Sequence, residues 1–137
     1  MRAALLRVWR HLDWRGVTLA GLGVLWIVYG LGLILTTRSS ITSGTAPLLR
    51  IMCIEAWGGV WIGSGALGII AGALRPGRDV WGFAAVCLPP AYWGLSFTAT
   101  AATGAYEVAW AAVPIYAAIV LLIAIVAVLT RGRSHGR

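Results

Sequence analysis

Glu55 is the acidic residue whose position most suggests chemistry. It lies inside an apolar segment from about 48 to 74, and it is the only carboxylate within any segment of this kind. A charged side chain in the membrane core costs roughly 2.5–3.5 kcal/mol on insertion scales, so it usually faces protein or water. One interpretation is therefore a proton or cation site. The other is a protonated side chain, or an ion pair with Arg38 or Arg50 at the membrane interface.

Pro89 and Pro90 are adjacent within another apolar segment, from about 81 to 103. Proline has no backbone N–H, so the pair removes two helix donors and disrupts hydrogen bonding to the carbonyls of Ala85 and Val86. We expect a kink or a break at this point. A broken helix can line a site or a pore. A kink whose carbonyls are bonded by a neighbour or by water has only a structural role.

The other residue types that catalyse reactions or bind metals are few and scattered. Cys53 and Cys87 are predicted at different membrane depths, which disfavours a disulfide because its Cα atoms must lie within about 7 Å. His11 and His135 lie in opposite tails, and two cysteines alone do not make a zinc site. The sequence contains no Ser-His-Asp set and no phosphate-binding loop. We therefore expect no enzymatic activity, no bound metal and no cofactor.

The composition predicts a membrane protein. The 137 residues are 60% hydrophobic and 11% charged, whereas about 25% are charged in a typical soluble domain. The net charge of +7 does not indicate nucleic-acid binding, because the arginines flank apolar blocks. A bilayer core about 30 Å thick requires about 20 apolar residues of helix. Four segments meet this requirement, at about 16–37, 48–74, 81–103 and 109–130.

We therefore predict an all-α integral membrane protein with four transmembrane helices in an antiparallel bundle. A basic flank, 1–15, precedes the bundle and a basic tail, 131–137, follows it. With four spans, nine arginines share one side of the membrane, and only Arg38 and Arg50 lie on the other. The positive-inside rule then places both termini in the cytoplasm.

The first span is expected to stay in the protein, because its apolar run exceeds the 7–15 residues typical of a signal peptide. The flank before it has apolar residues on one helical face and basic residues on the other. It therefore either lies as a short helix in the headgroup layer or simply anchors the first span.

Small residues recur every seven positions in the first two spans. Helix association in lipid depends on small residues that allow close approach, and a seven-residue period keeps one seam facing a partner. We expect the first two helices to pack closely along this seam, and Gly59 and Gly63 to contact a further neighbour on the opposite face. The fourth span has no glycine and is expected to be the most lipid-exposed. The seam consists of Gly16, Ala20, Gly23 and Gly30 in the first span and Gly58, Gly65, Gly68 and Gly72 in the second.

Four stretches together resemble small multi-span membrane proteins of actinobacterial bacteriophages. They are LDWRGVTL at 12–19, WIVYG at 26–30, LRPGRD at 74–79 and GFAA at 82–85. Several such proteins are regarded as holin-like. The resemblance therefore implies a protein of the bacterial cytoplasmic membrane that associates with itself or with another membrane protein and opens lesions for a lytic enzyme.

Two other functions remain open on the sequence. One is a small transporter or channel with Glu55 as its ion or proton site; the other is a structural or regulatory membrane subunit. Four spans exceed the number in many holins. However, four-span multidrug transporters carry their essential carboxylate in the first span, where this chain has none. The Gly-rich, Arg-containing motif of four-span fluoride channels is also not found.

Overall fold

The computed structural model describes residues 14–36, 43–74 and 79–129, and within these ranges it contains helices and no strand. Four of the helices are long and apolar enough to cross a membrane. Residues 1–13 of the predicted flank and the predicted tail lie outside the described residues. The helices are α1 (Trp14–Leu35), α2 (Ala46–Leu49), α3 (Ile54–Gly72), α4 (Val80–Ala102) and α5 (Ala109–Leu129).

The second membrane-length helix is shorter than the segment predicted for it. Pro47 lies in the first turn of α2, where proline is tolerated, and α2 ends after a single turn. The chain then turns and becomes extended at Cys53, with φ −64° and ψ 162°, and this residue precedes α3. Glu55 therefore lies in the first turn of α3 rather than further into the span. A negative charge at this position is favoured by the helix dipole.

α1 and α3 pack so closely that a methyl group does not fit between them. A Cβ added to Gly23 would lie 2.5 Å from the carbonyl oxygen of Gly65, and one added to Gly30 would lie 2.5 Å from that of Gly58. Glycine is required at these positions because of the close backbone approach. In order along α1, the contacts pair Gly16 with Gly72, Gly23 with Gly65 and Gly30 with Gly58.

α3 also packs against α4, along a stripe next to the glycine seam. Gly68 faces both neighbours, since an added Cβ would lie 2.6 Å from Cγ1 of Val86 in α4 and 3.3 Å from the carbonyl oxygen of Leu19 in α1. On α4, a Cβ added to Gly82 would collide with Ala71. α3 therefore contacts α1 and α4 through two adjacent faces.

The face of α3 that carries Gly59 and Gly63 makes no contact of this kind. Both glycines are exposed, and a Cβ added to either would meet nothing within 4 Å. Among the described residues, the predicted contact of this face with another helix is not formed. The reason is that α4 lies against the stripe that contains Ser64 and Gly68.

Four tryptophans fill the space between α1, α3 and α4, and we call them the aromatic cluster: Trp26, Trp57, Trp61 and Trp93. All four side chains are buried. Ring centroids are 4.9 Å apart for Trp26 and Trp61, and 5.5 Å apart for Trp61 and Trp93, with the rings edge to face. This arrangement suits the quadrupoles of aromatic rings.

α5 is the least buried of the four long helices, in accordance with the expectation from its sequence. Only 6% of the residues in its most apolar window are buried, compared with 28–44% in the other three. It packs mainly against α4. The ring of Tyr116 stacks on that of Phe97 in α4, with centroids 5.6 Å apart.

Candidate functional site

A buried ion pair joins Arg15, in the first turn of α1, to Asp79, the residue that precedes α4. Arg15 Nε lies 2.5 Å from Asp79 Oδ2, and Arg15 Nη2 lies 3.2 Å from Asp79 Oδ1. The two side chains are only 5% and 4% exposed. A two-point pair of this kind fixes the relative orientation of guanidinium and carboxylate. It therefore sets how the start of α1 meets the start of α4.

The same guanidinium also contacts α5. Arg15 Nη1 donates a hydrogen bond of 3.0 Å to the carbonyl oxygen of Ala127. That carbonyl lies in the last turn of α5, where helix carbonyls have no donor from their own helix. The guanidinium carbon also lies 4.8 Å from the centre of the Phe83 ring, a distance suited to a cation–π contact. Arg15 thus holds the starts of α1 and α4 and the end of α5 together.

The sequence did not predict this ion pair, because Arg15 lies in the predicted basic flank and Asp79 lies between the second and third predicted spans. In the structure, α1 begins at Trp14, so Arg15 belongs to the helix and is buried. One signal was available. The predicted topology places both residues at the same side of the membrane, next to apolar segments in which an unpaired charge is costly.

The second polar feature of the bundle is at the proline pair. α4 continues from Val80 to Ala102 through Pro89 and Pro90, so of the predicted kink or break, the break is not formed. Both prolines are fully buried. Because a helix N–H bonds the carbonyl four residues earlier, Pro89 leaves the carbonyl of Ala85 without its donor, and Pro90 does the same to that of Val86.

Each of these two carbonyls receives a side-chain donor from a different helix. The hydroxyl of Ser64 in α3 donates to the carbonyl oxygen of Ala85. The indole N–H of Trp26 in α1 donates to the carbonyl oxygen of Val86 at 2.8 Å. The two prolines thus free two backbone acceptors of α4, and these acceptors join α4 to α3 and to α1. We call these two hydrogen bonds the proline contacts.

Comparisons with protein-family models, with curated proteins and with solved structures found no match. Within residues 14–36, 43–74 and 79–129, no group of three His, Cys, Asp or Glu side chains is placed to hold a metal ion.

Glu55 lies apart from both features. Its side chain is exposed at the start of α3, and in the described part of the chain no ion pair joins it to Arg50. The alternative partner, Arg38, lies outside the described residues. Cys53 is exposed just before Glu55, whereas Cys87 is half-buried in α4. Neither interpretation of Glu55 gains support, because no polar side chain of the bundle interior is brought to it.

The segment before α3 covers the other end of the bundle. The indole N–H of Trp57 donates to the carbonyl of Leu48 at 3.1 Å, and the hydroxyl of Thr100 donates to the carbonyl of Gly44 at 3.0 Å. A Cβ added to Gly44 would collide with the ring of Phe97. The residues from 43 to 49 therefore lie directly against α4.

Between the proline contacts and this covering segment, three buried donors have no hydrogen-bond acceptor among the described residues. They are Trp61 Nε1, Trp93 Nε1 and Ser96 Oγ. The Trp61 and Trp93 rings meet at an angle of 83°, an edge-to-face arrangement that is favourable for two aromatic rings. This part of the interior is therefore held mainly by the packing of large rings.

Proposed function

We propose that this chain is a multi-pass protein of the bacterial cytoplasmic membrane that self-associates and permeabilises the membrane, in the manner of holins, without catalytic activity. The observation that carries the proposal is the set of four membrane-length apolar helices. All four present large apolar side chains on their outer surface, including Val28, Leu67, Leu88 and Leu121. Such a surface suits contact with lipid.

The proposed topology is an antiparallel bundle with both termini in the cytoplasm. The order of the glycine contacts supports it, since Gly23 meets Gly65 while Gly30 meets the earlier residue Gly58. The hydrogen bond from Arg15 to Ala127 brings the start of α1 and the end of α5 to the same end of the bundle. The excess of arginine in both tails and in the 75–78 connection favours the cytoplasmic side for that end.

The proposed surface for self-association is the open face of α3 at Gly59 and Gly63. These glycines have the small-x-x-x-small spacing that lets two membrane helices approach closely. No part of the described chain covers them. The permeabilising activity itself is suggested by the resemblance to bacteriophage membrane proteins. The described interior of the bundle contributes the packing and the hydrogen bonds that hold the helices together.

The test is induced expression in a bacterium with continuous measurement of the membrane potential. We expect a timed loss of potential with the natural sequence. Gly63→Leu should delay or prevent that loss by blocking close approach. Gly21→Leu is the matched control, because Gly21 is also exposed with nothing within 4 Å of an added Cβ. Normal growth with a maintained potential at high expression would contradict the proposal.

A further inference from the structure

A groove runs between α4 and α5 on the outer surface of the bundle. It is lined by α4 from Pro90 to Thr98 and by α5 from Val113 to Val120, and its volume is about 340 Å³. This volume is within the range of roughly 300–1,000 Å³ found for small-molecule sites. Small residues leave the space open, since Ala91, Gly94 and Ala117 are among its lining residues.

The groove offers almost no polar partner to an occupant. Its two polar side chains are Thr98 and Tyr116. The hydroxyl of Thr98 donates to the carbonyl of Gly94 at 2.8 Å, and the hydroxyl of Tyr116 lies 3.5 Å from that of Tyr29. Both hydroxyls are therefore engaged within the protein. An apolar occupant suits this groove, because a polar one would give up hydrogen bonds to water without replacing them.

The length and position of the groove match one half of a bilayer. From Pro90 to Thr98 the α4 wall is about 12 Å long, and it stops about 6 Å before the end of the helix. Its other end is at the proline pair, near the middle of α4. One leaflet of a hydrocarbon core contributes about 15 Å. A membrane helix is about 10–12 Å in diameter with its side chains, so a length of about 12 Å of helix needs far more space than 340 Å³, whereas a single hydrocarbon chain is thin enough to lie in this groove.

We propose that this groove binds one acyl chain of a membrane phospholipid, which enters from the leaflet at the 103–108 turn. Trp110 supports this direction of entry. It is exposed and lies one helical turn before Val113, on the same side of α5. Tryptophan is favoured at the level of lipid headgroups. The proposal rests on the membrane insertion of the proposed function and is independent of permeabilisation.

The first experiment uses the unaltered protein in phosphatidylcholine vesicles that contain a trace of phosphatidylcholine with a photoreactive group in mid-chain. After illumination, labelled peptides are mapped by mass spectrometry. We expect the label to concentrate on the walls of the groove rather than on the open face at Gly59 and Gly63. Labelling that is even over all outward-facing surfaces would overturn the proposal. A protein that fails to enter the vesicles would overturn the membrane placement itself.

The second experiment fills the groove. Ala117→Trp places a large ring in it, whereas Ala118→Trp adds the same ring at the next residue, which is also exposed but does not line the groove. Native mass spectrometry measures the fraction of protein that retains a phospholipid. That fraction should fall roughly tenfold for Ala117→Trp, because every excluded methylene loses its burial. Equal retention by the two variants, or no retained lipid on the unaltered protein, would overturn the proposal.

Discussion

Arg15 and Asp79 are 64 residues apart in the sequence and form a buried ion pair at one end of the bundle. The pair is at the meeting point of three helices, because the guanidinium also bonds the last turn of α5. α5 has little other burial. Arg15 therefore adds a polar contact that fixes this end of α5, beside the packing of α5 on α4.

Breaking this ion pair on one side should destabilise the protein strongly. Asp79→Asn leaves the buried guanidinium without its counter-charge, and the expected loss is about 3–5 kcal/mol in the free energy of unfolding. The measurement is unfolding by a denaturing detergent in mixed micelles. Arg50→Gln is the control, because Arg50 is exposed. Replacing both partners, with Arg15→Met and Asp79→Leu, should recover much of the stability. A loss for Asp79→Asn no larger than that of the control would contradict the prediction.

Removing the indole donor to Val86 should leave a buried carbonyl unpaired. Trp26→Phe is expected to lower the free energy of unfolding by about 1–3 kcal/mol, because the acceptor then has neither a backbone nor a side-chain donor. Pro90→Ala supplies a backbone N–H for the same carbonyl. The same measurement on Trp26→Phe should therefore show a smaller loss when Pro90→Ala is also present. An equal loss in both backgrounds would be inconsistent with this role of Trp26.

Removing the Ser64 hydroxyl should have the corresponding effect on the neighbouring carbonyl. Ser64→Ala unpairs the carbonyl of Ala85, with an expected loss of the same order, about 1–3 kcal/mol. This loss should be reduced by Pro89→Ala and not by Pro90→Ala, since each proline removes the donor of only one carbonyl. Double-mutant cycles with both prolines measure this selectivity. If Pro89→Ala and Pro90→Ala reduce the loss of Ser64→Ala equally, the two proline contacts do not act as separate pairs.

Alanine in place of glycine should have opposite effects on the two faces of α3. Gly65→Ala pushes a methyl group against the carbonyl oxygen of Gly23, and overpacking of this kind costs about 1–3 kcal/mol. Gly63→Ala meets nothing within 4 Å and should raise the helix stability by up to about 1 kcal/mol. Unfolding in mixed micelles distinguishes the two. A stabilising Gly65→Ala would refute the close approach of α1 and α3.

The proposed orientation can be tested with a native thiol. Cys53 is exposed at the start of α3, and Cys87 is half-buried within α4. A membrane-impermeant maleimide added to intact cells should label the protein, and Cys53→Ser should abolish that labelling. Cys87→Ser is the matched control and should leave it unchanged. Labelling that requires prior permeabilisation of the cells would place this end of α3 on the cytoplasmic side.

The four long helices could be predicted from the sequence because each needs only a sufficient length of apolar residues. The face of α1 that packs on α3 could also be predicted, because glycines repeated every seven residues mark one face of a helix wherever the partner lies. The start of α3 could not, since Cys53 and its neighbours are apolar enough to continue a span. That boundary depends on the backbone turn after Arg50 and on the contacts of the 43–49 segment with α4.

The polar contacts were harder to predict because each depends on two distant residues. The sequence identified the freed carbonyls of Ala85 and Val86 but not their donors. Ser64 and Trp26 become those donors only once the depth and rotation of three helices are fixed. Serine and tryptophan are also ordinary residues of membrane helices, so neither is conspicuous in the sequence. The same holds for the groove beside α5, which exists because small residues on two separate helices come together.

The glycine contacts make the α1–α3 interface tolerant of some changes in length and intolerant of others. The glycine contacts join residues of α1 to residues of α3, so residues added to the chain between the two helices leave these contacts in register. One residue inserted between Gly23 and Gly30 would rotate the rest of α1 by about 100°, and Gly30 would no longer face Gly58. Natural variation in length among related chains should therefore be found in the connections and not within either helix.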